Sequence, residues 1–174
     1  MPKNSKEQIE QDEKKLLSEL MKNSKENINI IAKNFGFSGQ KAWRMIKRLE
    51  KSQKIWGYSA VVDAGKQGLE KFMLFFKVEH KKPHPKDTIE IATTRMDPMK
   101  KDLGITILNS YCIHGEYDWV TIFTAKNIIQ AKKFCDSLMK RFPDTHTTHI
   151  SQILFTVREH CIQNPNITEM KDFI

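Results

Sequence analysis

Ser38-Gly39-Gln40-Lys41-Ala42-Trp43-Arg44-Met45-Ile46-Lys47-Arg48-Leu49-Glu50-Lys51-Ser52-Gln53-Lys54-Ile55-Trp56-Gly57-Tyr58 is the stretch whose reading decides the fold. Ser38 has the chemistry of an N-cap, because its hydroxyl can accept from an amide of the first helical turn. Ala42, Ile46 and Leu49 then recur at helical spacing, predicting one helix to about Ser52 with that apolar stripe inward. Lys41, Arg44, Arg48 and Lys51 fall at i, i+3, i+7, i+10 along another face. Lys41, Arg44, Lys47, Arg48, Lys51 and Lys54 stand against the single acid Glu50. Ile55 to Val62 is aromatic and β-branched, and is expected to form a wing hairpin or strand pair after the helix.

Upstream, Ile9, Leu16, Leu17, Leu20 and Met21 predict an amphipathic helix over roughly 8–22. Residues 23–27 read as a loop. Ile28, Ile31, Ala32 and Phe35 predict a short second helix, stopped by Gly36. Three helices, a tight glycine turn between the second and third, then strands: the order is that of a winged helix-turn-helix, assigned to residues 1–64. Trp43 lies off the core stripe, so it either packs under the first helix or sits exposed in a groove.

Downstream, residues 63–70 form the best domain boundary. Phe72–Val78 reads as a strand, 81–85 as a turn and 86–101 as a helix that Pro98 ends or kinks. Strands follow over 105–114 and 119–125, joined by a turn at 115–118. A helix over 128–142 turns Ile128, Ala131, Phe134, Cys135, Leu138 and Phe142 inward, and a last strand covers 149–157. The order β-α-β-β-α-β is ferredoxin-like, assigned to residues 65–160. No structure is expected in the tail, 161–174. The fold class is therefore α+β: an N-terminal winged helix-turn-helix plus a C-terminal ferredoxin-like βαββαβ domain.

The net charge of +8 points to nucleic acid or an anionic membrane surface. No run approaches the ~18 apolar residues of a span, and no apolar N-terminal stretch resembles a signal peptide, so no membrane partner and a cytoplasmic location are expected. Cys112, Cys135 and Cys161 are widely spaced without CxxC, and read as free, largely buried thiols. His146 and His149 have opposite parity on a strand, so no metal site is expected. No nucleophile elbow, P-loop or paired-carboxylate motif occurs, so the chain is not read as an enzyme and no cofactor is expected.

The segment Ser38…Ala42…Ile46-Lys47-Arg48-Leu49-Glu50…Ile55-Trp56-Gly57-Tyr58 resembles the recognition helix and wing opening of the Lrp/AsnC (feast/famine) regulators. Gly115-Glu116-Tyr117-Asp118-Trp119, some 65 residues on, resembles that family's Gly-x-x-Asp-aromatic turn. The resemblance covers about residues 8–160. Met45 stands where the family usually has Arg, Gln53 where it has Gly before the wing, His114 where Thr is common, and Pro143-Asp144 where Pro-Gly is typical.

Together these readings predict a sequence-specific transcriptional regulator that binds double-stranded DNA as a homodimer or higher oligomer. The expected DNA-contact residues are Ser38, Gln40, Lys41, Trp43, Arg44, Lys47, Arg48, Lys51 and Lys54. Arg can read guanine and Gln adenine, while the later bases suit phosphates. Taken alone, 115–119 is a plain β-turn. The resemblance implies an effector site there, with Gly115, Tyr117, Asp118 and Trp119 holding a small molecule such as an amino acid. Phe72–Phe76 is apolar on both faces, which predicts sheet-to-sheet association. Two rivals remain: an enzyme similar to the siroheme decarboxylases, with His114 and His146 in play, and an effector-independent DNA-architectural protein.

Overall fold

The computed structural model describes residues 6–78, 102–141 and 145–174. They divide into two compact units, one of the described residues up to 61 with 157–171, the other of those between 62 and 156 with 172–174.

The first unit is built on α1 (Lys6–Lys22), α2 (Ile28–Asn34) and α3 (Gly39–Lys51). Its core is Leu16, Ile31, Ala32, Ala42, Met45 and Leu49, with Leu17, Leu20, Ile28, Phe35, Phe37, Ile46 and Ile55 packed around it. Met45 is thus fully on the inward stripe of α3, while Ile46 lies at its margin. An arginine there would carry its charge into the core, which accounts for an apolar residue at that position. Asn27 caps α2 and Ser38 caps α3 through their side chains.

Both α2 and α3 end in the same six-to-one turn. After α2, the Phe37 amide donates to Ala32 O at 2.8 Å and that of Gly36 to Lys33 O at 3.1 Å. After α3, the Lys54 amide donates to Leu49 O and that of Gln53 to Glu50 O, each at 3.0 Å. This turn needs a left-handed residue just past the helix. Gly36 supplies it with φ 67°, and Gln53 adopts it with φ 56°.

No strand forms between Ser52 and Glu70, so the expected wing hairpin or strand pair is absent. Ile55–Val62 has strand-like composition, but among the described residues nothing pairs with it, and composition without a ladder partner does not satisfy backbone groups. The tail also departs from expectation. It forms a small hairpin, β5 (Arg158–Glu159) with β6 (Ile162–Gln163), then a 3₁₀ helix over Ile167–Phe173.

The second unit is a four-stranded sheet of β1 (Glu70–Val78), β2 (Thr106–Cys112), β3 (Trp119–Ala125) and β4 (Thr145–Ile153), in the order β2-β3-β1-β4. Every pairing is antiparallel. This is the ferredoxin-like order. The last strand starts and ends earlier than expected, because β1 offers a partner as far as Val78 opposite Thr145. α4 (Ile128–Arg141) packs on one face. Phe72, Leu74, Ile105, Phe123, Ala125, Ala131, Phe134, Cys135 and Leu138 form the core. Ile128, expected inward, is 39% exposed at the first turn of α4. The expected helix over 86–101, and Phe142, lie outside the described residues. Only Cys135 is a buried thiol; Cys112, at the end of outer strand β2, and Cys161, in the hairpin turn, are exposed.

Candidate nucleic-acid interface

α3 presents three differently committed sides. Its inward stripe is Ala42, Met45 and Leu49. One flank carries Lys41 and Arg48, two turns apart, and both are held by α1. Lys41 Nζ lies 2.6 Å from Asp12 Oδ2 and stacks 4.2 Å over the centroid of the Phe37 ring. Arg48 donates to Glu13 Oε1, the Nη2–oxygen distance being 2.6 Å, and Lys54 Nζ reaches Glu13 Oε2 at 2.9 Å. Asp12 and Glu13 are buried, at 2% and 6% exposure. These two carboxylates form a clasp between α1 and the two ends of α3. Burial pushes the Asp12 carboxyl up, but hydrogen bonds from Lys41 and Gln8 and the charges of Lys41 and Lys15 outweigh it, leaving the pKa below its ordinary value. Burial likewise raises Glu13, and Lys54 and Arg48 outweigh it to leave its pKa low.

The outward side carries Gln40, Trp43, Arg44 and Lys47, at i, i+3, i+4, i+7, followed by Lys51; all five are exposed. Among the described residues, Arg44 and Lys51 form no ion pair; the Arg44 Nε–H leans on its own helix, 3.4 Å from Gln40 O. Lys47 pairs with Glu50 at 2.8 Å, a solvated bridge of small worth. The Tyr58 hydroxyl donates to the other Glu50 oxygen at 3.1 Å, tying the segment after α3 to the helix. Burial first, then its bond to Glu50, raises the Tyr58 pKa.

Of the nine expected contact residues, five share the outward side. Lys41, Arg48 and Lys54 are drawn into the clasp instead, and the Ser38 hydroxyl accepts the Lys41 amide at 3.1 Å as a helix cap. Trp43 is 54% exposed rather than packed under α1. The clasp itself was missed in sequence, although it left a trace. Ile9, Asp12, Glu13 and Leu16 fall at i, i+3, i+4, i+7, so two acids occupy stripe positions of α1.

The turn between β2 and β3 is organised around Asp118. Its Oδ2 accepts the Val78 amide at 2.9 Å, its own amide donates to Phe76 O at 3.1 Å, and its carbonyl accepts from the Ile113 amide at 2.8 Å. Asp118 therefore closes one end of the sheet. Tyr117 packs on Phe75, with centroids 5.4 Å apart, while Trp119 stacks on Phe76 at 6.1 Å and 5°. Phe75 and Phe76 are consecutive in β1, so the two aromatics lie on opposite faces of the sheet. Gly115 is exposed, with φ 155° and open space where a Cβ would stand. The four expected effector residues thus do not converge on one face. His114 is exposed, and among the described residues no three His, Cys, Asp or Glu could share a metal ion. No described helix is long and apolar enough to cross a membrane.

Comparison with known proteins bears on both units. A family described as winged helix-turn-helix DNA-binding matches residues 13–55, from Glu13 of the clasp to Ile55 just past α3. Most of the chain is similar in fold to solved proteins. E. coli AsnC has 14% identity and a TM-score of 0.61, over 86% of this chain and 95% of that one. An AsnC family transcriptional regulator from Agrobacterium tumefaciens has 14% identity and a TM-score of 0.64, over 88% and 95%. The chain has the fold of the AsnC-type regulators. A feast or famine regulatory protein from M. tuberculosis, solved with L-methionine, shares this AsnC-type fold with 18% identity and a TM-score of 0.68, over 87% and 96%. No curated protein matches the chain. The resemblance read from 38–58 and 115–119 therefore holds at the level of the fold, with both units present in their expected order.

Proposed function

We propose that the chain is a DNA-binding transcriptional regulator of the Lrp/AsnC type, reading the major groove with the outward side of α3. One observation carries this reading: Gln40, Trp43, Arg44, Lys47 and Lys51 form an exposed, basic, contiguous side of the helix that a helix-turn-helix inserts into DNA. Gln40 and Arg44 have the donor geometry to read base edges, and Lys47 and Lys51 suit phosphates. Ser38 holds the N-terminus of α3, and the clasp holds its orientation; Lys41, Arg48 and Lys54 support the interface from behind.

Two finer readings belong to the second unit. The first is a homodimer. Met73 and Phe75 on β1, with Val120 and Ile122 opposite them on β3, put apolar side chains on the sheet face away from α4. Covering that face with a second copy would bring two copies of α3 into one assembly. The second is an amino-acid effector. It is supported by similarity to the M. tuberculosis protein solved with L-methionine. The candidate groups are Gly115, Tyr117, Asp118 and Trp119; Asp118 is held by the Val78 amide, and Tyr117 and Trp119 by Phe75 and Phe76, which fixes the positions they would offer a ligand.

Fluorescence anisotropy of labelled duplexes, selected from a random pool by the full chain, tests the main reading. Saturable binding that Arg44→Ala weakens is expected, and a chain that retains no duplex contradicts it. Sedimentation at micromolar concentration tests the dimer; a monomer contradicts it. Calorimetry with L-methionine tests the effector; absence of heat removes that reading and leaves DNA binding untouched.

A further inference from the structure

Trp43 is the one outward residue of α3 whose chemistry the proposed interface does not yet use. It is 54% exposed, while the inward residues on either side of it in sequence, Ala42 and Met45, are at 0% and 5%. A large apolar ring left in water on a well-formed helix costs solvation and contributes nothing to this unit's core. It stands among Gln40, Arg44 and Lys47, so what covers it is a negatively charged surface with an apolar element inside it. Duplex DNA offers one such element in the major groove, the C5-methyl group of thymine. Trp56 is more exposed still, at 95%, but it lies in the segment without regular structure after α3. It does not share the helix side that carries Gln40 and Arg44.

We propose that Trp43 is a specificity-determining residue that recognises thymine through its 5-methyl group. This rests on the DNA-binding reading above and deepens it. Gln40 lies one helical turn before Trp43 on the same side, and its amide suits adenine N6 and N7. The pair therefore favours A·T base pairs at neighbouring positions of one half-site. Arg44 adds a guanine preference beside them.

The experiment replaces each thymine of a duplex selected by the full chain with deoxyuridine, which removes only the methyl group. Wild type should lose about fourfold in affinity at one or two thymines, the amount expected when one buried methyl is lost, and be indifferent at the others. Trp43→Ala should bind thymine and uracil duplexes equally, and Trp43→Phe should keep part of the discrimination. Because Trp43 is exposed, thermal melting of both variants should match wild type. If wild type ignores every methyl, the inference is overturned while DNA binding stands. Full methyl discrimination surviving in Trp43→Ala also overturns it, since another residue then reads the methyl. If no duplex is selected at all, the regulator reading fails first and takes this inference with it.

Discussion

On the outward side of α3, Arg44 and Lys51 reach solvent with no ion pair among the described residues, whereas in the turn before β3 the Asp118 carboxylate already accepts the Val78 amide. Both regions are polar and at the surface, and both stood out in sequence as candidate binding sites. Their hydrogen-bond accounts separate them. A carboxylate oxygen held by a backbone amide already contributes to the fold, whereas a cation with no ion pair has its whole charge to offer a partner. The same contrast recurs within α3, between its outward side and the flank where Lys41 and Arg48 meet buried acids. Residue type and helical position nominate a contact; the tertiary partner decides whether it is available.

The sharpest way to break this contrast is a pair of arginine variants. Arg44→Ala should lower affinity for a selected duplex by about 5- to 150-fold, or roughly 1–3 kcal/mol, with unchanged melting. Arg48→Ala should do the reverse. It leaves Glu13 buried with Lys54 as its remaining partner, and about 1–2 kcal/mol of stability should be lost, well below the cost of a fully orphaned buried charge, because Arg48 is itself half exposed. Equal effects of the two variants on DNA affinity would erase the distinction.

The turn provides the next test. Asp118→Ala removes the acceptor of a backbone amide at the end of β1, and should cost the sheet unit about 1–2 kcal/mol in denaturant unfolding. Asp118→Asn keeps an acceptor oxygen and should cost less. A neutral Asp118→Ala that abolishes L-methionine heat would instead mark Asp118 as a ligand group.

Acid separates the clasp from solvated surface. Asp12 and Glu13 titrate below their ordinary values of 3.8 and 4.5 in the folded chain. The unfolded chain therefore binds their protons first as pH falls. Their contribution to stability is complete above those ordinary values and is lost as pH drops through them toward the lower folded values. Unfolding midpoints measured from pH 6 down to pH 3 should decline, and Asp12→Asn should flatten that decline. An unchanged slope in Asp12→Asn would show the clasp to be electrostatically idle.

The smallest effect contrasts the two helix ends. α2 places Gly36 and α3 places Gln53 in the same left-handed position. Gln53→Gly should stabilise the first unit by up to about 1 kcal/mol, because a residue with a Cβ resists that region. Gly36→Ala should destabilise by a similar amount. A destabilising Gln53→Gly would mean that the glutamine side chain makes up for its backbone strain.

Much of this is legible in the sequence. The three helices, the Ser38 cap, the glycine stop at Gly36 and the continuous apolar strand at Phe72–Phe76 follow from periodicity, composition and local sterics, which act within a few residues. Gln53 stands where the resembled family has glycine before the wing, and its left-handed backbone emerged only with the fold. What escaped were features set by distant partners. Asp12 and Glu13 lie in Gln11-Asp12-Glu13-Lys14-Lys15, which resembles a solvated run until α3 is docked on it. Ile55–Val62 has strand chemistry without a neighbouring strand. The tail hairpin at 158–163 is too short and polar to carry a periodic signal.

The central claim is that the outward side of α3, and not its clasped flank, meets DNA. Salt dependence of duplex binding tests it most directly, because each phosphate contact contributes about one unit to the log–log slope. Titrations at several salt concentrations on wild type, Lys51→Ala and Lys41→Ala suffice. The slope should fall by about one unit in Lys51→Ala and stay at the wild-type value in Lys41→Ala. A slope that falls in Lys41→Ala and holds in Lys51→Ala would contradict the account.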